Sequence, residues 1–194
     1  RTALREAAEG TSRLRAVAGA MALARRLRSH FEGDEPLALL LPPGRAGALV
    51  SLAASLAGRT LLPLNPTAGA AAIETAVRRG GARRLLTSPK LLEKLELELP
   101  ESLHPLMIED LVAEVGVIDR ALGLITPWLP LALTERLAGA PRGVRGRDRA
   151  ALLFTSGSSG TPKGVPLTHA QVGANVDQVA RVLPLDHDDR LLGS

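Results

Sequence analysis

Short apolar runs separated by helical segments most limit the folds open to this chain. Residues 36–41, 60–65 and 82–87 are rich in leucine and are bounded by proline or glycine, which is typical of short buried strands. Helical patterns fill the intervals 44–57 and 68–79. Strands that alternate with helices of this length form βαβ units around a parallel sheet. We therefore predict an α/β fold built from parallel-sheet βαβ layers.

The rest of the chain follows the same two patterns less regularly. Ala, Leu, Arg and Glu dominate residues 4–31, which favours one amphipathic helix there. A helix over 118–137 should be kinked near Pro127 or Pro130. The remaining expected elements are helices at 89–95, 109–115 and 168–182, a strand at 104–108, a last buried strand at 149–154 and an extended segment at 165–167.

Composition excludes several classes of site. The 194 residues contain no cysteine, which excludes disulfide scaffolds and thiolate metal sites. The four histidines have no metal-ligand spacing, so we expect no metal bound by the protein itself. We expect His30 and His104 to be surface or packing residues. His169 is expected in the first turn of a helix, the alternative being contact with substrate.

The charge pattern indicates what kind of partner the chain could bind. The net charge is +4, with arginine supplying nearly all of the cations. Nucleic-acid binding is not expected, because aromatic side chains for stacking are almost absent. Anionic lipid or an acidic carrier protein is the expected electrostatic partner. The longest uncharged run, 121–133, is too short to span a bilayer.

The residues most suggestive of chemistry lie between the last strand and the last helix. Glycines in this loop permit positive φ and close approach of the backbone to a ligand. Its hydroxyls, its free backbone N–H groups and one lysine together suit a polyphosphate. The candidate nucleotide-binding residues are Thr155, Ser156, Gly157, Ser158, Ser159, Gly160, Thr161, Pro162, Lys163 and Gly164.

The same loop could be a flexible Gly/Ser linker, but its context argues against that. An apolar strand enters it, Pro162 stiffens it, and a helix follows with a Thr168–Gln171 capping box. The chain has three lysines against 24 basic residues in all, and Lys163 is one of the three. The loop is not a Walker A motif, because no Ser or Thr follows Lys163.

The run Phe-Thr-Ser-Gly-Ser-Ser-Gly-Thr-Pro-Lys-Gly-Val, residues 154–165, resembles the AMP-binding signature of the adenylate-forming superfamily. The resemblance implies that residues 155–164 bind the β- and γ-phosphates of ATP and that Lys163 assists departure of pyrophosphate. It implies ATP with bound Mg²⁺ as cofactor, and coenzyme A or a carrier-protein phosphopantetheine as acceptor. Residues 1–194 are then expected to be the N-terminal portion of the large domain, with the C-terminal domain outside the chain and both ends cut. The isolated chain should not complete adenylation.

Shorter motifs suggest a subfamily. Residues 39–44, 63–69, 86–94 and 108–111, with the helical segment 118–137, resemble the acyl-acyl-carrier-protein synthetase half of 2-acylglycerophosphoethanolamine acyltransferase enzymes. The same motifs also resemble those of a long-chain fatty acyl-CoA ligase. The resemblance implies a fatty acid substrate, an acyl-carrier protein as a possible partner, and a cytoplasmic location with or without membrane association.

Two alternatives remain open. The chain could be a non-catalytic phosphate- or membrane-binding fragment that has kept the loop. Separately, the aliphatic segment 107–139 could rest on a membrane surface or form a helical cover packed on the sheet.

Overall fold

The computed structural model describes residues 2–6, 9–31, 33–96, 99, 103–138, 144–155 and 163–183. The strands are β1 (Thr2–Glu6), β2 (Glu9–Ser12), β3 (Leu37–Leu39), β4 (Leu61–Pro63), β5 (Arg84–Thr87), β6 (His104–Met107), β7 (Arg149–Thr155) and β8 (Lys163–Thr168). The α-helices are α1 (Arg13–His30), α2 (Arg45–Leu56), α3 (Ala70–Gly80), α4 (Pro89–Leu95), α5 (Ile108–Ala113), α6 (Val117–Ile125), α7 (Leu131–Ala138) and α8 (His169–Val182). Short 3₁₀ turns lie at Pro66–Ala68 and Thr126–Trp128.

A six-stranded sheet with the order β6-β5-β3-β4-β7-β8 organises the described part of the chain. All its neighbouring strands run parallel except β7 and β8, which form an antiparallel hairpin at one edge. The predicted α/β fold with a mostly parallel sheet is therefore confirmed.

The central strands are buried on both faces, as expected for parallel strands covered by helices. In β3, Leu37 and Leu39 pack into one core cluster, whereas Ala38 packs into another. In β5, Leu86 faces the first cluster and Leu85 the second. The first cluster contains residues of α1 and α2, and the second contains residues of α3 and α4. The sheet therefore has a helical layer on each side.

Local signals place several helix ends where the sequence predicts them. Ser88 Oγ accepts a hydrogen bond from Leu91 N, with Pro89 in the first turn of α4. Gly81 ends α3 with a φ of 72°, in the left-handed region that favours glycine. Thr168 and Gln171 form the predicted capping box of α8.

The predicted helix over residues 4–31 is wrong in its first third. Residues 2–12 form the antiparallel hairpin of β1 and β2, in which Leu4 pairs with Thr11. Helix α1 begins only at Arg13, because Ser12 Oγ accepts a hydrogen bond from Arg15 N. Strand pairing has overridden the helical propensity of this segment.

The segment from residue 117 to residue 138 is broken where its prolines predict. Helix α6 ends before the 3₁₀ turn that contains Pro127, and α7 starts directly after Pro130. Helix α6 packs mainly against α1 and so forms an outer layer over that helix. Of the two alternatives for residues 107–139, the helical cover fits Leu111 and Ala138, which are buried in one cluster with Leu39 and Leu86 of the sheet, while α6 lies on α1. No helix in the described ranges is long and apolar enough to cross a bilayer.

Candidate functional site

The two ends of the predicted phosphate loop are held together by the β7–β8 hairpin. Thr155 pairs with Lys163, and Phe154 pairs with Gly164. Directly opposed residues of an antiparallel pair project from the same face, with Cβ atoms about 4.5–5.5 Å apart. The side chains of Thr155 and Lys163 therefore leave the hairpin from the same face, at the base of the loop.

The two faces of this hairpin differ in their surroundings. Leu152 and Phe154 pack against the core cluster that contains residues of α3 and α4. Leu153 and Val165 project from the opposite face and are partly exposed. Thr155 and Lys163 share that open face, because side chains alternate along a strand. A ligand can therefore reach Lys163 from solvent.

Three of the ten predicted site residues fall within the described ranges: Thr155, Lys163 and Gly164. The other seven, Ser156, Gly157, Ser158, Ser159, Gly160, Thr161 and Pro162, lie outside the described residues. Their assignment to phosphate binding remains a prediction.

Gly164 is a glycine for a different reason from the one the sequence suggested. Its φ is not in the left-handed region. A Cβ built on it would lie 3.1 Å from Phe154 Cζ and 3.4 Å from Leu152 Cδ1. The absent side chain therefore makes room for the Phe154 ring across the hairpin. Gly164 shapes the base of the loop by packing, not by backbone freedom.

The loop leaves the sheet at the edge where ligands of parallel α/β sheets bind. Strand β7 runs parallel to β4, so Thr155 ends β7 at the carboxyl edge. At the same edge, Thr87 ends β5 with its side chain fully buried. Its Oγ1 has no hydrogen-bond partner within the described part of the chain. Sequence reasoning missed Thr87, although a Thr between a buried strand and the Ser88 cap marks the strand end.

His169 lies in the first turn of α8, as predicted, and at the end of β8 away from Lys163. The six residues of β8 rise about 17 Å in total, which separates Thr168 from Lys163. His169 N donates to Asp148 O over 3.1 Å, at the opposite end of the hairpin. Contact of His169 with substrate remains a prediction; its buried Nε2 has no hydrogen-bond partner within the described residues.

His30 and His104 are also where the sequence places them. His30 Nε2 lies 2.8 Å from a carboxylate oxygen of Glu114, and His104 is exposed at an edge strand. Among the described residues, no three His, Asp or Glu side chains stand close enough to hold a metal ion.

A buried carboxylate that sequence reasoning did not single out joins α6 to α1. Asp119 is 1% exposed and accepts hydrogen bonds from Arg25 Nε at 2.9 Å, Arg26 Nε at 2.8 Å and Gly116 N at 3.0 Å. Burial opposes ionisation, but the hydrogen bonds from Arg26, Arg25 and Gly116 N hold the pKa of Asp119 below its usual range. The only sequence signal was a lone acid in an apolar segment.

A family model described as "AMP-binding enzyme" matches residues 11–194. The chain belongs to the AMP-binding enzyme family. The match contains the whole loop and the sheet that carries it, and it confirms the superfamily that the 154–165 motif indicated.

The chain spans less than half of the length of the proteins to which it is similar. It is 30% identical to pyochelin synthetase PchF of Pseudomonas aeruginosa over 99% of this chain and 9% of that protein. It is 32% identical to phosphinothricin tripeptide synthetase PhsC of Streptomyces viridochromogenes over 78% of this chain and 13% of that protein. The o-succinylbenzoate coenzyme A synthetase MenE of Bacillus subtilis, solved with ATP and magnesium, shares the fold with a TM-score of 0.72 and 18% identity, over 94% of this chain and 43% of MenE.

Proposed function

We propose that this chain is the ATP-phosphate-binding part of an enzyme that activates a carboxylic acid as an acyl-adenylate and then transfers the acyl group to a thiol. The observation that carries the proposal is the Thr155–Lys163 pair, which closes an AMP-binding signature loop at the carboxyl edge of the sheet. The loop residues 155–164 hold the β- and γ-phosphates of ATP.

The chemistry explains why a lysine stands at this position. A substrate carboxylate attacks the α-phosphate, and the bond to the leaving pyrophosphate breaks. Negative charge then accumulates on pyrophosphate, where preorganised N–H groups and cations stabilise it. Lys163, exposed on the open face of the hairpin, supplies such a cation to the leaving group. Mg²⁺ bound with ATP would supply further charge neutralisation for the leaving group.

The identity of the acid is the finer part of the proposal. The motifs at 39–44, 63–69 and 86–94 support a fatty acid through their resemblance to acyl-carrier-protein synthetases. The names of PhsC, a tripeptide synthetase, and of MenE, an o-succinylbenzoate coenzyme A synthetase, favour amino or aryl acids instead. We retain the fatty acid as the proposed substrate, with coenzyme A or a carrier-protein phosphopantetheine as acceptor. A substrate panel decides between these acid classes.

The test is ATP–pyrophosphate exchange by the longest polypeptide that contains this chain. We expect exchange that depends on the acid, with the highest rate for a long-chain fatty acid over amino and aryl acids. Lys163→Ala should lower the rate by about tenfold or more, because it removes a charge-assisted contact to the leaving group. Lys90→Ala, an exposed lysine in α4, is the matched control and should leave the rate unchanged. A higher rate with an amino or aryl acid would replace the fatty acid but keep the reaction.

A second measurement separates the enzyme from the non-catalytic alternative. Calorimetry measures the binding of ATP and Mg²⁺ to the 194-residue chain. The affinity should fall in Lys163→Ala and stay unchanged in Lys90→Ala. Binding without any exchange in the longest polypeptide would identify a phosphate-binding module. Equal ATP binding by both variants would contradict the assigned role of Lys163. The isolated chain itself is predicted to show no exchange.

A further inference from the structure

The polar side of helix α6 packs against the protein, and its large apolar side chains face solvent. Asp119 and Gly123 of α6 are buried against the protein, and so is Thr126 of the 3₁₀ turn that follows. A Cβ on Gly123 would lie 2.5 Å from Ala18 O, so α6 approaches α1 more closely than a larger residue permits. The face that packs is therefore made of a carboxylate, a hydroxyl and a glycine.

The opposite side of this segment is apolar and faces solvent. On helix α6, positions 117, 121 and 124 share one side, and the 3₁₀ turn that ends at Trp128 follows directly. Val117 is 83% exposed and Trp128 is 74% exposed. We call this surface the outer face; its large apolar residues are Val117, Ile118, Leu124, Ile125, Trp128 and Leu131. Single exposed apolar residues are ordinary, but a contiguous set of this kind marks an interaction surface.

Positive charge is concentrated in the layer that carries the outer face. Helix α1 and residues 117–138 together contain seven arginines and two carboxylates, a net charge of +5. The whole chain has +4. Both carboxylates are engaged within the protein, since Asp119 binds Arg25 and Arg26, and Glu135 accepts from Val144 N.

The exposed arginines of this layer lie on elements that adjoin the outer face. Arg13 and Arg15 open α1, while Arg120 and Arg136 belong to α6 and α7. Glu114, which follows α5, lies at the other end of α1, where it contacts His30. Gly123 meets Ala18, and the 3₁₀ turn with Trp128 continues from there toward the start of α1. Exposed apolar residues at the Trp128 end therefore lie toward the basic start of α1.

We propose that the outer face rests on the surface of a phospholipid bilayer that contains anionic headgroups. Apolar side chains enter the boundary between headgroups and acyl chains, Trp128 lies at headgroup level, and the arginines attract the anionic lipid. A second copy of the chain is a poorer occupant, because a symmetric dimer would place the arginines of one copy against those of the other. The proposal does not depend on the phosphate loop or on the substrate.

Trp128 is the only tryptophan of the chain, and there is no tyrosine, so its emission reports directly on the outer face. The full 194-residue chain is titrated with vesicles of phosphatidylcholine, with or without phosphatidylglycerol. We expect a blue shift of Trp128 emission and co-sedimentation with the anionic vesicles. Raising the salt concentration should weaken both effects.

Variants connect the binding to this surface. The double variant Leu124→Ser/Leu131→Ser, which keeps Trp128, should bind anionic vesicles about tenfold or more weakly. Arg15→Gln should weaken binding by about fivefold. Val176→Ser and Arg181→Gln, which alter exposed residues of α8, are the matched controls and should bind as the wild type does.

Three outcomes would overturn the proposal. One is the absence of any emission shift or sedimentation with anionic vesicles. Another is equal loss of binding in the α8 controls and the outer-face variants. The third is a dimer in light scattering whose Trp128 emission is already blue-shifted without lipid, which would make a second copy the occupant.

Discussion

Helices α1 and α8 are both amphipathic, but they meet very different surroundings. Helix α1 buries seven residues, and among them Ala20, Met21 and Ala24 are fully inaccessible. Helix α8 buries none, and its apolar positions Val172 and Val176 face solvent. Helix α1 packs into the core on one face of the sheet, whereas α8 follows the hairpin that carries the AMP-binding signature. Stability and chemistry therefore reside in different parts of this chain, and the part with the signature contributes little to the core.

The largest difference between the two regions is expected when an apolar side chain is truncated in each. Leu86→Ala removes a fully buried side chain at the centre of the sheet and should lower the free energy of unfolding by about 2–5 kcal/mol. Val176→Ala in α8 should change it by less than about 0.5 kcal/mol. Urea unfolding of both variants measures the difference. Similar losses would show that α8 is packed in solution.

Charge removal should show the same contrast. Asp119→Asn removes the buried negative charge that pairs with Arg25 and Arg26. It should lower the free energy of unfolding by about 2–3 kcal/mol, and not more, because both arginines remain partly solvated. Asp177→Asn, on exposed α8, should stay within about 0.5 kcal/mol. Chemical denaturation at neutral pH measures both changes.

The pH dependence of the Asp119 contribution has a definite sign. Because the folded state lowers the pKa of Asp119, its stabilisation is fully present above the unfolded value of about 3.9 and is lost as pH falls through the folded pKa. The stability gap between wild type and Asp119→Asn should therefore narrow in acid. A gap that stays constant from about pH 6 to about pH 2.5 would contradict this.

Replacing one glycine in α6 and one in α8 by alanine should change the stability of the protein in opposite directions. Gly123→Ala would drive a Cβ into the backbone at Ala18 and should destabilise the protein by about 1–3 kcal/mol. Gly173→Ala in α8 meets nothing within 4 Å and should stabilise that helix by up to about 1 kcal/mol. Thermal melts compare the two. Destabilisation by Gly173→Ala would mean that α8 has a close neighbour.

The smallest expected effects come from the helix N-caps. Ser12→Ala and Thr168→Ala each remove a side-chain acceptor at the start of a helix, at a cost of about 1 kcal/mol. The loss at Ser12 should appear in global unfolding, because α1 belongs to the core. The loss at Thr168 should appear mainly as faster amide hydrogen exchange within α8. Equal changes in global stability would erase the distinction between the two regions.

The parallel sheet and the position of the loop could be predicted because both depend on short patterns. A leucine-rich run bounded by proline or glycine is a strand wherever helices cover both of its faces, as in β3 and β5. Residues 2–12 show the limit of such reasoning. Their composition favours a helix, yet β1 finds a partner in β2, and pairing outweighs a propensity of a few tenths of a kcal/mol per residue.

The candidate site also has parts that the sequence predicted and parts that it did not. The signature motif located residues 155–164, but the reason for Gly164 emerged only once the Phe154 ring was seen across the hairpin. Thr87 lies within the 86–94 motif but was not predicted as a site residue, and the order of the strands places it at the same sheet edge as Thr155.

The sequence by itself determined the features that depend on neighbours a few residues apart: the strand and helix segments, the caps at Ser88 and Thr168, and the phosphate-loop motif. Tertiary structure alone decided which side of α6 faces solvent and which arginines, more than 90 positions away, neutralise Asp119. It also decided that β7 and β8 stay half exposed at the sheet edge. The reason is physical, since burial and ion pairing depend on residues that are distant along the chain and meet only after folding.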